Sequence, residues 1–179
     1  MRLKTSLVVL LLLTGLAAVA CRDETKNPAG PQTTQPVAKV NAGPLPSDGF
    51  KAEITLTGPP ATMRPGQKET IRVKVKNASS IQWYSHGGEI NTNPDNRFYL
   101  AAANRWMKPD GKTLVTNMDG RYGLGKDLKP GEVDEVPLQI TAPKDPGEYL
   151  LEVDLVQEAV AWFSDKGSTT AKAKVTVVK

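Results

Sequence analysis

The chain of 179 residues contains a single cysteine, Cys21, and a single histidine, His86. One cysteine excludes an intrachain disulfide, so a folded domain must be stabilised by its hydrophobic core. With one histidine and one cysteine, the sequence also lacks the sets of His and Cys ligands that are typical of zinc and copper centres. The residue types that most often build metal and redox sites are therefore nearly absent.

The chain also carries little net charge. The formal net charge at pH 7 is only +4, from 23 Lys and Arg against 19 Asp and Glu. The cations alternate with acids and apolar residues instead of forming a basic run. Proteins that bind nucleic acid neutralise many phosphates with clustered cations. We therefore expect no nucleic-acid partner.

The longest hydrophobic run lies at the start of the chain. Arg2 and Lys4 precede an unbroken apolar stretch, Leu7–Leu13, and the segment ends in the small residues Ala18-Val19-Ala20 just before Cys21. This order of a cationic start, an apolar middle and small residues is the layout of a secretory signal. The apolar part is roughly fifteen residues long, which is shorter than the roughly 20 residues that a membrane-spanning helix needs.

The residues before Cys21 resemble the lipobox of bacterial lipoproteins. In that family a diacylglyceryl group is added to the cysteine sulfur, the signal is cut just before it, and the new amino terminus is usually acylated too. The family favours Leu three positions before the cysteine, where this chain has Ala18. The resemblance implies a signal peptide over 1–20, palmitate-type chains on Cys21 and a membrane-anchored location in the bacterial cell envelope. Ordinary cleavage that leaves a free Cys21 thiol is the alternative.

A segment with five prolines and no apolar periodicity follows at residues 22–48. Such a segment buries too little apolar surface to offset the entropy of ordering it. We therefore divide the remaining chain into a lipidated cysteine with a disordered linker, 21–49, and a folded domain, 50–179. A proline-rich ligand for a partner is the alternative interpretation of the linker.

From Phe50 onward, apolar and polar residues alternate. The period of two is typical of half-buried strands, and Pro-Gly pairs supply turns between them. About seven such strands predict an all-β fold, an antiparallel β-sandwich. The clearest runs have their apolar positions at Ile71, Val73 and Val75, at Val136, Leu138 and Ile140, and at Tyr149, Leu151, Val153 and Leu155.

The order of these elements resembles an immunoglobulin-like domain, of the kind attached to bacterial cell-envelope proteins. In this resemblance Trp83 corresponds to the core tryptophan and Tyr149 to the tyrosine corner. Leu151 occupies the position of a disulfide cysteine, and its partner is Ile71 or Val73. The resemblance implies an immunoglobulin-like sandwich in which aliphatic packing replaces the disulfide.

The stretch 149–163 is too long for one plain strand, so we expect a bulge or bend near Gln157-Glu158. Glu158 is then close to aromatic residues, and Arg105 or Arg121 is its expected ion-pair partner.

The polar residues do not form a catalytic or metal-binding pattern. Ser85 and His86 are adjacent, and adjacent strand residues point to opposite faces, so they do not form a nucleophile–base pair. His86 and Glu89 supply only two metal ligands, and 91–96 lacks the spacing of a calcium loop. We expect no enzyme activity, no metal and no cofactor. A small hydrolase that uses His86 is the least favoured alternative.

The remaining candidates for a binding surface are aromatic. Trp106 and Trp162 have no clear place in the predicted core, and counting alternate residues from Tyr149 places Trp162 on the outward face. With Phe163 beside it, Trp162 is a candidate contact patch. The alternative is that the expected bend turns Trp162 inward.

These patterns predict a lipid-anchored envelope protein that works by binding. The expected partners are the membrane, reached through Cys21, and an envelope protein or a surface polymer. The rival hypothesis is an accessory subunit of a larger envelope complex, in which a partner strand covers the edge of the sandwich.

Overall fold

A computed structural model describes residues 43–86 and 96–179 of the chain. These residues form two sheets that pack face to face around a shared apolar core. Short 3-10 turns lie at Ser47–Gly49 and Ser164–Lys166. The strands are, in chain order, β1 (Ala52–Thr57), β2 (Thr62–Met63), β3 (Lys68–Asn77), β4 (Leu100–Met107), β5 (Leu114–Gly123), β6 (Val133–Thr141), β7 (Gly147–Gln157), β8 (Ala161–Trp162) and β9 (Ala171–Val177).

The strand order is that of an immunoglobulin-like sandwich. One sheet has the order β1–β3–β6, and the other has the order β2–β9–β7–β4–β5, with β8 paired to β7. The pairs are antiparallel except for β2 with β9. The neighbours β4, β7 and β9 correspond to strands C, F and G, and β1, β3 and β6 to strands A, B and E. The predicted fold class is therefore confirmed, and the single cysteine excludes an intrachain disulfide.

Alternation along β3 shows how the sequence builds one half of the core. Ile71, Val73 and Val75 are buried, while the cations Arg72 and Lys74 between them are exposed. Successive strand residues point to opposite faces, and each fully buried aliphatic side chain contributes about 1.5–3 kcal/mol. Only one register of β3 therefore keeps its charges in water.

The predicted tyrosine corner and aliphatic core are both present. The Tyr149 hydroxyl donates a hydrogen bond to the Asp145 carbonyl oxygen at 2.8 Å. Leu151 is buried in the same apolar cluster as Ile71 and Val73, which lie on the opposite sheet. Aliphatic packing thus occupies the place where a disulfide joins the two sheets in antibody domains.

The core tryptophan of the immunoglobulin-like pattern is Trp106 and not Trp83, so that part of the prediction was wrong. Trp106 lies on β4 opposite Leu151 of β7, and its ring meets Tyr149 edge-on at 6.4 Å. Trp83 is also fully buried, but it makes only an isolated bridge, to Leu128. The prediction placed the next strand directly after β3, near Trp83. The strand that pairs with β7 begins only at Leu100.

The folded part begins before the predicted boundary at residue 50. Leu45 packs against the core, and the Trp83 indole Nε1 donates to the Gly49 carbonyl oxygen at 2.9 Å. These tertiary contacts order a segment whose prolines and polar residues resemble a linker. Cys21 and the linker up to residue 42 lie outside the described residues.

Candidate functional site

The outer face of β7 carries acidic side chains that are buried. Glu152 and Asp154 point away from the core, yet both are removed from water. Arg105 on the neighbouring strand β4 lies between them, with Nε 2.9 Å from Glu152 Oε2 and Nη2 3.2 Å from Asp154 Oδ2. Lys172 Nζ approaches Glu152 Oε1 to 3.1 Å. The charges compensate one another, as burial of ionised groups requires.

A second ion pair lies at the end of β7. Arg121 Nη1 on β5 is 2.8 Å from Glu158 Oε2, and the two side chains are largely buried. The expectation that Glu158 pairs with an arginine is therefore confirmed, with Arg121 as the partner. Arg105 is engaged by the other two acids instead.

Trp162 covers both arginines. The chain leaves β7 at Gln157, turns, and returns as β8, which pairs Trp162 with Val156. The expected bend is confirmed at this position. The half-buried indole lies 5.1 Å from Arg105 Cζ and 5.6 Å from Arg121 Cζ, and such cation–π contacts are worth about 0.5–2 kcal/mol each.

We call this group the Trp162 cluster; it comprises Arg105, Arg121, Glu152, Asp154, Glu158 and Trp162. Each charged member pairs with an opposite charge inside the cluster. The cluster therefore has a structural role: its ion pairs and cation–π contacts hold the returning segment of chain against the sheet.

The pKa values of the three carboxylates in the Trp162 cluster are shifted in different directions. Burial is the largest influence on Asp154 and Glu158 and raises the pKa of both, because hydrogen bonds and arginine charges offset only part of it. Burial also acts to raise the pKa of Glu152. There, hydrogen bonds from Thr170 and Lys172, with the charges of Arg105 and Lys172, outweigh it and lower the pKa.

These directions predict how stability depends on pH. A carboxyl whose pKa is raised by folding contributes stability below its ordinary pKa, and the contribution is lost as the pH rises through the raised value. We therefore expect the free energy of unfolding to fall, partly through Glu158, as the pH rises above the ordinary carboxyl value of 4.5, and the fall to be smaller in Glu158→Gln. Urea titrations at several pH values measure this difference. Glu148→Gln, at an exposed glutamate of the same strand, is the control, and equal pH dependence in both variants would contradict the assignment.

Two of the three aromatic residues proposed for a contact patch lie in the core. Trp106 and Phe163 are 0% exposed, and the Phe163 ring packs edge-on between Phe50 at 5.0 Å and Trp83 at 5.2 Å. The prediction of an accessible patch was therefore wrong for Trp106 and Phe163. Trp162 alone keeps part of its surface in solvent.

Ser85 and His86 have separate structural roles. The Ser85 hydroxyl donates to the Leu124 carbonyl oxygen, and its backbone N–H donates to Asp127 Oδ1 at 2.7 Å. The exposed His86 ring meets Tyr99 edge-on at 5.0 Å. The Ser85 proton is thus directed to a backbone carbonyl. Glu89 and residues 91–95 of the oxygen-rich stretch lie outside the described residues.

One polar side chain, Gln157, joins the incoming chain to the sandwich. Its Nε2 donates to the Gly43 carbonyl oxygen at 2.9 Å and to the Phe98 carbonyl oxygen at 2.8 Å, while Oε1 accepts from the Leu45 N–H at 2.8 Å. Gln157 is 1% exposed. This role of Gln157 was not predicted, although a glutamine on the inward-facing parity of an apolar strand was the available signal.

Two strained residues flank this point. Phe98 has a φ of 71° and Ala159 a φ of 60°, in a region that costs non-glycine residues about 1–3 kcal/mol. Backbone hydrogen bonds hold the two segments together, from Phe98 N–H to Glu158 O at 2.9 Å and from Glu158 N–H to Tyr99 O at 3.0 Å. We call this region, where the linker reaches the domain, the entry end; it comprises Gly43, Phe98, Gln157, Ala159 and Val160.

Over 43–86 and 96–179, no helix has the length and apolar character needed to cross a membrane. In the same part of the chain, no three His, Cys, Asp or Glu side chains are grouped so that they could hold a metal ion.

Comparison with known proteins places no family name on the chain. No family model and no curated protein matches it. Among solved structures, it is similar to the sporulation control protein Spo0M from Bacillus subtilis, with 16% identity and a TM-score of 0.42 over 72% of this chain and 50% of that one. It is also similar to the CARDB domain of the PF1109 protein from Pyrococcus furiosus, in complex with di-metal ions, with 18% identity and a TM-score of 0.38 over 72% and 86% of the two chains. A β-glucosidase from Listeria innocua in complex with glucose gives 15% identity and a TM-score of 0.36, over 72% of this chain and 16% of the enzyme. The chain thus spans half the length of Spo0M and a small part of the glucosidase.

Proposed function

We propose that this chain is a lipid-anchored protein of the bacterial cell envelope, and that its immunoglobulin-like domain acts by binding another envelope component. The observation that carries the proposal is the arrangement of residues 1–21. A cationic start, an apolar run and small residues lead directly to Cys21, the only cysteine in the chain. This order of residues is what a secretory signal requires, and the cysteine at its end supplies the thiol for acylation.

Acyl chains on one residue are sufficient to hold the protein. Each buried CH₂ contributes about 0.8 kcal/mol, so that one chain anchors marginally and two or three anchor stably. Residues 22–42 then connect Cys21 to the first described residue, Gly43. As a flexible coil this linker spans about 25 Å, and as an extended polyproline-like chain about 65 Å. The domain therefore remains within reach of the membrane while it binds.

The arrangement of polar groups supports binding over catalysis. The buried charges of the Trp162 cluster are paired with one another, and Lys172 also pairs with Glu152, while the Ser85 hydroxyl donates to a backbone carbonyl. The domain is therefore better suited to recognise a partner through its surface than to catalyse a reaction. An envelope protein or a surface polymer is the partner class that fits this location.

The anchor is tested by acylation. We expect labelled fatty acid to enter the wild type and to be absent from Cys21→Ser, because the thiol is the acceptor. The double variant Cys21→Ser with Ser47→Cys restores a thiol at an exposed position of the domain, and it should also remain unlabelled. Equal labelling of the wild type and Cys21→Ser would refute the anchor, as would recovery of the processed wild type in the aqueous phase with its thiol open to alkylation.

A further inference from the structure

We propose that the entry end of the sandwich rests on the lipid headgroups of the membrane that holds Cys21. This inference depends on the proposed function, because the anchor is what brings a lipid surface close. It assigns an orientation to the domain, with Phe98 and Val160 toward the lipid and the start of β7 away from it.

The position of the incoming chain gives the first argument. Gln157 bonds both Gly43 and Phe98 through one nitrogen, and its carbonyl oxygen accepts the Val160 N–H at 3.0 Å. The linker therefore reaches the domain beside Val160. β7 is 11 residues long, so its far end, at Gly147, lies about 35 Å away. A flexible coil of the length of residues 22–42 spans about 25 Å, which is less than this distance, so such a connection keeps the entry end nearer to the anchor than the far end.

Because only residues 22–42 separate the domain from Cys21, weak contacts between the entry end and the lipid are sufficient for binding. A linker that confines a domain near its target gives an effective concentration in the millimolar range. A surface with only a few favourable side chains is then occupied for much of the time.

The side chains at this end have the composition that an interface favours. Val160 is 39% exposed at the tip of the turn after β7. Phe98, Tyr84 and Trp162 are half-buried, and the exposed Arg97 has its Cζ 5.5 Å from the Phe98 ring. Aromatic rings and valine gain from partial burial among headgroups, and arginine is attracted by anionic lipid. The nearest buried acid, Glu158, is already paired with Arg121.

Backbone strain gives an independent argument. Phe98 and Ala159 both have positive φ, and hydrogen bonds between their segments keep them there. Strain of this kind persists where the surrounding structure enforces it, and it is concentrated at functional positions. Here it fixes the turn that exposes Val160.

Depth-dependent quenching tests the orientation, with Val178 as a matched control. Val178 is 43% exposed and follows β9, whose Val177 pairs with Gly147 at the far end of β7. An azide-bearing residue at position 160 or 178 carries a fluorophore, and the acylated protein is placed in vesicles of equal parts phosphatidylcholine and phosphatidylglycerol that contain a headgroup quencher. We expect clearly more quenching at 160 than at 178, and at least about fivefold less at 160 after Arg97→Glu, since the loss of one cation near an anionic surface already has an effect of about this size and the new carboxylate adds repulsion. Lys144→Glu, an exposed cation near the far end, should change nothing.

Equal quenching at the two positions would overturn the proposal, and so would insensitivity of position 160 to Arg97→Glu. Shielding of position 160 in native membranes without quenching in protein-free vesicles would also overturn it, because that result assigns the entry end to a protein partner. A second arm couples the Cys21 thiol of the chain from residue 21 to a maleimide lipid. If the cell does not acylate Cys21, the first arm yields no vesicle-bound protein and the proposed anchor fails, whereas the second arm still decides which end meets the lipid.

Discussion

Replacement of Trp83 by alanine is expected to lower the free energy of unfolding by about 3–5 kcal/mol. The ring is fully buried. It packs edge-on against Phe163 at 5.2 Å, and its Nε1 donates to Gly49 O at 2.9 Å. Trp83 therefore joins the start of the domain to the segment that follows β8. Its removal creates a cavity and leaves a buried carbonyl group without its donor.

Urea denaturation followed by far-ultraviolet circular dichroism measures this loss, with Trp162→Ala as the control. Trp162 is half-buried, so its removal opens space toward the solvent and leaves no enclosed cavity, and we expect a smaller loss than for Trp83→Ala. A Trp83→Ala midpoint equal to that of the wild type would show that the ring does not support the core.

Asn77→Asp is expected to cost about 4 kcal/mol, although the two side chains have the same shape. The buried Asn77 Nδ2 donates to the carbonyl oxygens of Ile81 at 2.8 Å and Leu128 at 2.9 Å, while Oδ1 accepts from the N–H and hydroxyl of Ser79. Aspartate keeps the acceptor but places a negative oxygen against two carbonyl groups. The loop after β3 then loses the hydrogen bond that joins the Asn77 side chain to Leu128 in the loop before β6.

The exposed Asn117 provides the matched control, because Asn117→Asp makes the same chemical change in water. Acid should restore part of the Asn77→Asp loss, since a protonated carboxyl regains one donor. A loss at Asn77→Asp no larger than that at Asn117→Asp would contradict the proposed role of the amide.

The sequence predicted those strands in which one face is buried and the other is wet. β3 and β6 alternate in this way, whereas β7 does so only over its first residues, because both of its faces are buried from Leu151 to Gln157. The alternation could not identify the core tryptophan, because Trp83 and Trp106 are both fully buried. Only the pairing of β4 with β7 distinguishes them, and that pairing joins residues far apart in the chain.

The candidate site could be predicted only in part, because it too depends on pairing between residues far apart in the chain. An ion pair of Glu158 with Arg105 or Arg121 was predicted, and the structure selects Arg121. The place of Arg105 between Glu152 and Asp154 depends on the register of β4 against β7, which no local pattern contains. Phe163 was misplaced because it was grouped with its neighbour Trp162, although the count of alternate residues from Tyr149 puts position 163 on the inward face, where it lies.

The hydrogen bonds of Gln157 also determine how the domain responds to mechanical force. A pull on the chain ahead of Gly43 is transmitted through this side chain to the end of β7. β7 is an interior strand, bonded to β4 on one side and β9 on the other. Tension is therefore spread over the widest sheet of the sandwich before it can peel away the edge strand β1.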